Sequence, residues 1–224
     1  MTTFQRARSE EQREIRRQAI LDTAAAMLDE MSVGEVSLNE LSRRVGLAKS
    51  NVLRYFESRE AILLELLDSA WKRLMGDLPG LLAAGVRPEH GVRQRGDAFA
   101  TVFTRSLAER RVLCDLLSAQ VGVLEHNVSA VVAARYKRAA IGNVDALAAL
   151  ARQYLPELGE GARLFSAQAF MMAGAVWTHA RPSPGMLAAY DADPSLAALR
   201  MDFAATLQEM VATLLAGILT RTAN

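Results

Sequence analysis

Residues 37–56 read SLNELSRRVGLAKSNVLRYF, and this stretch decides the fold. Ser37-Leu38-Asn39-Glu40 has the form of a capping box, in which the Ser37 hydroxyl accepts a free backbone N–H and Glu40 reaches back to the cap. Leu38, Leu41 and Val45 give the helix that follows one apolar face. Gly46 ends it, because only glycine enters the left-handed turn without steric cost. A second helix is expected from Lys49 to Phe56, with Val52, Leu53 and Phe56 turned inward and Lys49, Ser50, Asn51, Arg54 and Tyr55 outside. A short helix, a glycine turn and a second helix with a polar outer face make the spacing of a helix-turn-helix, whose second helix enters the major groove of DNA.

Charge around this segment is segregated. From Arg43 to Arg59 five basic residues stand against Glu57 alone, a net of +4 in 17 residues. Residues 18–42 carry five acids and no base. A small bundle charged in this way offers one side to phosphate and another to solvent. Over the whole chain 26 Lys and Arg nearly balance 25 Asp and Glu, so only the local distribution points to nucleic acid. Arg6 and Arg8 read either as an arm for the minor groove or as a solvated tail.

Helical periodicity continues outward in both directions. A first helix is expected from about Glu11 to Met31, with Ile15, Ala19, Leu21, Ala24, Ala25 and Leu28 on one stripe and Gly34 as its stop. Ser58 caps a fourth over Arg59 to about Asp77, and Pro79–Gly96 reads as a loop. Later helices are expected over Asp97–Glu109, from Arg111 to about Val121, from a Ser129 cap to Tyr154, over Ala162–Ala180 and over Ser195–Leu219, with Arg181–Pro194 as a loop. The 39 alanines and 31 leucines among 224 residues are the strongest helix formers, so the expected fold class is all-α.

Other classes fit poorly. Cys114 is the only cysteine and lies in an apolar helical run, so it reads as a buried, inert thiol in a reducing compartment. His90, His126 and His179 are isolated, none at metal-ligand spacing with another His, Cys or acid. There is no P-loop, no GxGxxG and no GxSxG. The expectation is no enzyme, no cofactor and no metal. The N-terminus is charged where a signal peptide is apolar, and the most apolar run, Phe170 to Trp177, is far shorter than a membrane span. A cytoplasmic protein without a membrane partner is expected.

The elements Ile15, Ala19-Ile20, Ala24, Gly34, Leu41, Val45-Gly46-Leu47, Lys49, Tyr55-Phe56, Ser58-Arg59 and Ile62-Leu63 follow one another without a gap across residues 13–63. In them the chain resembles the TetR/AcrR family of bacterial transcriptional regulators. It departs from that pattern at Ala48, where a Ser or Thr cap is usual, and at Leu53, where a phosphate-contacting tyrosine is frequent. Arg59 replaces the lysine that usually follows the recognition helix. The resemblance implies an N-terminal three-helix DNA-binding head, residues 1–58, and a C-terminal helical ligand-binding and dimerisation domain, residues 59–224. It implies a homodimer on a palindromic duplex operator, repressing in the usual mode and released by a small molecule. By side-chain chemistry, Arg44, Lys49, Tyr55 and Arg59 suit phosphate, while Ser50, Asn51 and Arg54 suit base edges.

The last two expected helices are broadly apolar. Phe165, Ala169, Met172 and Val176 share a face of one, and Leu199, Phe203, Leu207, Met210 and Leu214 a face of the other. Such faces fit either an intramolecular core or a two-fold four-helix interface, and the resemblance favours the interface. Ala169, Ala173 and Gly174 would let backbones approach there. A pocket for a small apolar or amphipathic ligand has candidates in Trp71, Met75, Phe99, Phe103, Leu117, Val121, Phe170, Met171 and Trp177, with Gln120, His126, Asn127 and Thr178 as orienting polar groups. The competing reading is a helical adaptor for a protein partner with no ligand response; it has no need of the polar, basic face of residues 49–55.

Overall fold

A computed structural model describes residues 3–222, with side chains from residue 10 onward. Among the described residues every regular element is helical. The order is α1 Thr3–Glu30, α2 Leu38–Val45, α3 Lys49–Val52, α4 Arg59–Gly85, α5 Val92–Ala108 and α6 Arg111–Ala119, then one π-helical turn over Gln120–Leu124. There follow α7 Ala130–Tyr154, a 3-10 turn over Pro156–Leu158, α8 Gly161–His179, α9 Pro184–Ala192, α10 Pro194–Ala197 and α11 Phe203–Thr222. The chain is all-α, a helix-turn-helix domain followed by a C-terminal helical domain.

Several boundaries differ from the sequence expectation. α1 begins at Thr3 rather than near Glu11; the backbone carrying Arg6 and Arg8 is its first turns, and their side chains lie outside the described set. α4 runs through Pro79 to Gly85 instead of stopping near Asp77. A proline inside a helix costs about 3 kcal/mol. Burial of Leu78 and Leu82, each fully inaccessible, offsets that at roughly 1.5–3 kcal/mol apiece. α5 starts at Val92, where the Gln94 side chain accepts the Gly91 N–H at 3.3 Å. The last helix starts at Phe203, not Ser195, because Asp202 accepts the Ala205 N–H at 2.7 Å and so caps it. The expected loop ahead of it holds α9 and α10, capped by Ser183 and Asp193.

The chain divides into two compact units. One holds the residues up to Asp68 together with Ala119–Tyr136; the other holds Ser69–Ser118 and the residues from Lys137 on. Ala119–Tyr136, placed by sequence in the second domain, therefore belongs to the first compact unit. A hydrogen bond in that unit accounts for part of this: the Glu57 carboxylate accepts the Ser129 backbone N–H at 2.6 Å, where Ser129 caps α7 through the Val132 N–H.

In the second unit Phe99, Phe103 and Phe165 form a fully buried aromatic cluster, with ring centroids 5.8 and 6.3 Å apart. α11 packs on α5 and α8 through Phe203, Leu207, Val211, Leu215 and Ile218. By length and composition α11 is apolar enough to cross a membrane, which the eight-residue run singled out in the sequence did not indicate. Its apolar stripe is instead turned onto neighbouring helices, and Glu209, Thr213 and Thr220 occupy the opposite, exposed side.

Candidate nucleic-acid interface

The helix-turn-helix forms as its residues dictate. The Ser37 hydroxyl accepts the Glu40 N–H at 3.2 Å, and Gly46 sits at φ 71°, the left-handed turn foreseen. The reciprocal half of the capping box is replaced: the Glu40 carboxylate accepts from Arg43 at 2.6 and 2.9 Å and from Arg44 at 2.9 Å. These hydrogen bonds, Arg43 first, hold the Glu40 carboxyl down at about 2. α3 is shorter than the expected helix to Phe56; after Val52 the chain continues in turns, with the Tyr55 and Phe56 N–H groups both reaching the Val52 carbonyl. Ala48 at its start makes no side-chain cap.

α3 is held from behind by Val52 and Phe56, both buried, and the Arg17 guanidinium of α1 lies 4.8 Å from the Phe56 ring while pairing with Glu65. Leu53, assigned to packing by sequence, is 41% exposed beside the recognition face. The early end of α3 turns it outward while Val52 and Phe56 fill the space behind.

The sequence-expected contacts fall into two groups. Lys49, Ser50, Asn51 and Arg54 stand exposed on one surface with Tyr55 half-buried next to them, and their side chains carry no hydrogen bond or ion pair among the described residues. Arg44 and Arg59 are already engaged. Arg44 bridges Glu40 and, at 2.7 Å, Glu30. Arg59 donates to the carbonyls of Val36 at 3.0 Å and Gly34 at 3.4 Å and to Glu60 at 3.0 Å, so it ties down the loop between α1 and α2. The net charge counted along the sequence thus overstates the free charge, because Arg43, Arg44 and Arg59 have local partners.

Sequence reasoning missed three residues of α1. Gln12, Arg13 and Arg16 join Arg54 and Tyr55 around an open cleft of about 380 Å³. The i, i+3 arginine pair was the available signal, but the charge count along the chain began downstream of it.

The expected dimer face is largely turned inward. Phe165, Ala169, Val176, Phe203 and Leu207 are buried within their own chain, Met172 and Leu214 are half-buried, and Met210 and Leu199 are exposed. The sequence supplied the apolar stripes but not which neighbour they meet: α8 and α11 pack on one another. Gly174 permits a close approach, but to α6 of the same chain, where a Cβ would lie 3.0 Å from the Leu117 carbonyl oxygen.

The ligand candidates are scattered in role. In the second unit Trp71, Phe99, Phe103 and Leu117 are buried, Met75 and Phe170 are half-buried, and Met171 and Thr178 are exposed. Trp177 donates its indole N–H to Asp115 at 2.7 Å, beside Arg181, and meets Phe203 edge-on at 4.8 Å. The Trp71 ring lies 3.7 Å from that of Phe170, and its buried Nε1–H has no acceptor among the described residues. In the first unit Gln120 donates to Glu125 at 2.9 Å, while Val121, His126 and Asn127 are exposed.

Comparison with known proteins places this geometry. Residues 20–66 match the model of bacterial regulatory proteins of the tetR family, and residues 68–222 that of the tetracyclin repressor-like C-terminal domain. Among curated proteins, the HTH-type transcriptional regulator EthR of Mycolicibacterium smegmatis is 38% identical over 58 residues, 26% of this chain. The chain spans about a quarter, 27%, of that relative's length. Among solved structures, a TetR transcriptional regulator from Rhodococcus sp. RHA1 superposes with TM-score 0.58 at 12% identity, over 94% of this chain and 98% of the other. The regulator FadR from Bacillus subtilis, solved in complex with stearoyl-CoA, does so with TM-score 0.51 at 13% identity, over 88% and 96%.

Proposed function

The chain belongs to the TetR family of DNA-binding bacterial transcription regulators, and from that premise we propose a homodimeric repressor that reads a palindromic operator through α3 and is released by a small ligand. The observation that carries the DNA-reading part is the set of unpaired donors on one surface: Lys49, Ser50, Asn51 and Arg54. Asn51 suits adenine and Arg54 guanine, each through two hydrogen bonds, and Ser50 suits either base type. Lys49 and Tyr55 serve as phosphate contacts that set register. Arg44 shifts to phosphate only by loosening exposed ion pairs worth about 0–1 kcal/mol each, which is a small barrier. Arg59 acts indirectly, by fixing the loop before α2. A DNA reader of this kind works in the cytoplasm.

For the dimer we propose the exposed side of the same two helices. Leu164, Gln168, Met171 and Ala175 recur at spacings of four and three along α8, with Met171 67% exposed and Leu164 50% exposed. Met210, Thr213 and Gly217 continue an exposed strip on α11. A second copy apposing these strips completes a four-helix interface of low crossing angle. For the ligand, the unsatisfied indole N–H of Trp71 beside Phe170 supports an amphipathic molecule that brings a hydrogen-bond acceptor into apolar surroundings. FadR, with its bound stearoyl-CoA, is a fold relative whose ligand has that amphipathic character.

The test is binding of full-length protein to a selected duplex and its single-base variants at two salt concentrations. Asn51→Ala is expected to relax preference at particular bases by about 1–3 kcal/mol. Lys49→Ala is expected to weaken all sites alike and lower the salt slope by roughly one unit. The reverse pattern overturns the role assignment.

A further inference from the structure

We infer that the cleft between α1 and the turn following α3 is a seat for one phosphodiester of the DNA backbone, beside the bases that α3 reads. The inference rests on α3 being the reading element. The cleft is lined by Gln12, Arg13, Arg16, Arg54 and Tyr55 and has a volume of about 380 Å³. Arg13 and Arg16 lie three residues apart on one face of α1, and Arg54 comes to the same cleft from the other wall. Like charges gathered in this way repel, and among the described residues no carboxylate pairs with them. Glu14 of α1 and Glu65 of α4 pair with Arg17 instead. Among the described residues none of the three cleft guanidiniums has an ion pair or hydrogen bond.

An oxyanion is the chemistry that answers this arrangement. The Arg13 and Arg16 guanidinium forks match phosphate oxygens two at a time, the Tyr55 hydroxyl and Gln12 amide add neutral donors, and Arg54 bounds the cleft while its own fork serves the neighbouring base edge. The source favoured by the geometry is duplex DNA rather than a free anion. Gln12, Arg13, Arg16 and Arg54 are exposed, so a small ion gains little against water and salt there. A duplex docked on α3 delivers its backbone phosphate already held by the neighbouring contacts. Arg54 and Tyr55 belong both to the cleft and to the chain just after Lys49, Ser50 and Asn51, which joins the seat to the reading face.

The experiment uses full-length protein carrying Arg13→Gln and Arg16→Gln together, exchanges on an exposed helix face that remove the charge and keep an unbranched polar side chain of similar helix propensity. Binding is followed over a salt series on a mixed-sequence duplex and on a selected operator with its single-base variants, with Asn51→Ala in parallel. The expected result is a uniform loss on all duplexes, a salt slope smaller by about one unit per subunit, and unchanged base preference. Unchanged affinity and slope in the double variant, with altered base preference in Asn51→Ala, overturns the cleft and leaves the reading by α3 standing. If neither variant changes binding, the reading by α3 fails and the inference with it. Altered base preference in the arginine variant also overturns the inference. So does saturable binding of inorganic phosphate to the wild type that the double variant lacks, which would mark a site for a free anion instead.

Discussion

Glu40, expected to reach back to the backbone N–H of its cap, turns instead to two arginines of its own helix. Its carboxylate is held by Arg43 and Arg44, and these hydrogen bonds depress its pKa from 4.5 to about 2. A carboxyl with a lowered folded-state pKa contributes stability that is fully present above its unfolded value and is lost as pH falls through the folded value. The melting temperature of Glu40→Gln is therefore expected to lie below that of the wild type at neutral pH, and the gap to close between pH 4.5 and about 2. A gap that persists unchanged through that window contradicts the assignment. Cys114 gives the opposite case. Burial, helped by the charge of Asp115, pushes its thiol up to about 12, and its Sγ lies 3.4 Å from the Leu107 carbonyl. Thiolate is the reactive form, so a thiol-specific reagent is expected to leave the native protein unlabelled and to label it on denaturation. Rapid labelling of the folded chain counts against the burial described.

At the scale of elements, the strongly local signals were legible and the partnered ones were not. Ser37, Gly46 and Ser58 act within one turn of chain, and each forms the cap or turn expected of it. Pro79 misled because burial of Leu78 and Leu82 outweighs a local rule. The stripes of α8 and α11 were seen, but periodicity states only that a face is buried, not against what. The consequence is testable with a pair of substitutions. Leu207 is wholly buried inside its own chain, and an aspartate there costs several kcal/mol out of a total stability of about 5–15. Leu207→Asp is expected to unfold the protein rather than to separate subunits. Met171→Asp, on the exposed strip of α8, is expected to keep the helical circular dichroism of the wild type and to halve the mass seen by light scattering. A folded Leu207→Asp monomer, or a Met171→Asp protein of unchanged mass, places the interface elsewhere.

At the scale of the whole molecule, the chain carries a helix-turn-helix domain and a C-terminal helical domain. Its first compact unit contains both the helix-turn-helix and Ala119–Tyr136, with Glu57, a few residues beyond α3, bonded to the Ser129 N–H at the start of α7. A segment far along the chain is thereby tied to the recognition element, a link that no motif in the sequence announced. In the proposed dimer two α3 helices would face one duplex, and that linkage would raise operator affinity well beyond that of a single head. The most direct test of this account is selection of binding sites from random duplexes by the full-length protein. The expected result is enrichment of inverted repeats whose half-sites are centred about 34–36 Å apart or a multiple of it, with the preferred bases changed when Asn51→Ala replaces the wild type. Recovery of only asymmetric or single-stranded sites, or of the same sites by Asn51→Ala, would contradict it.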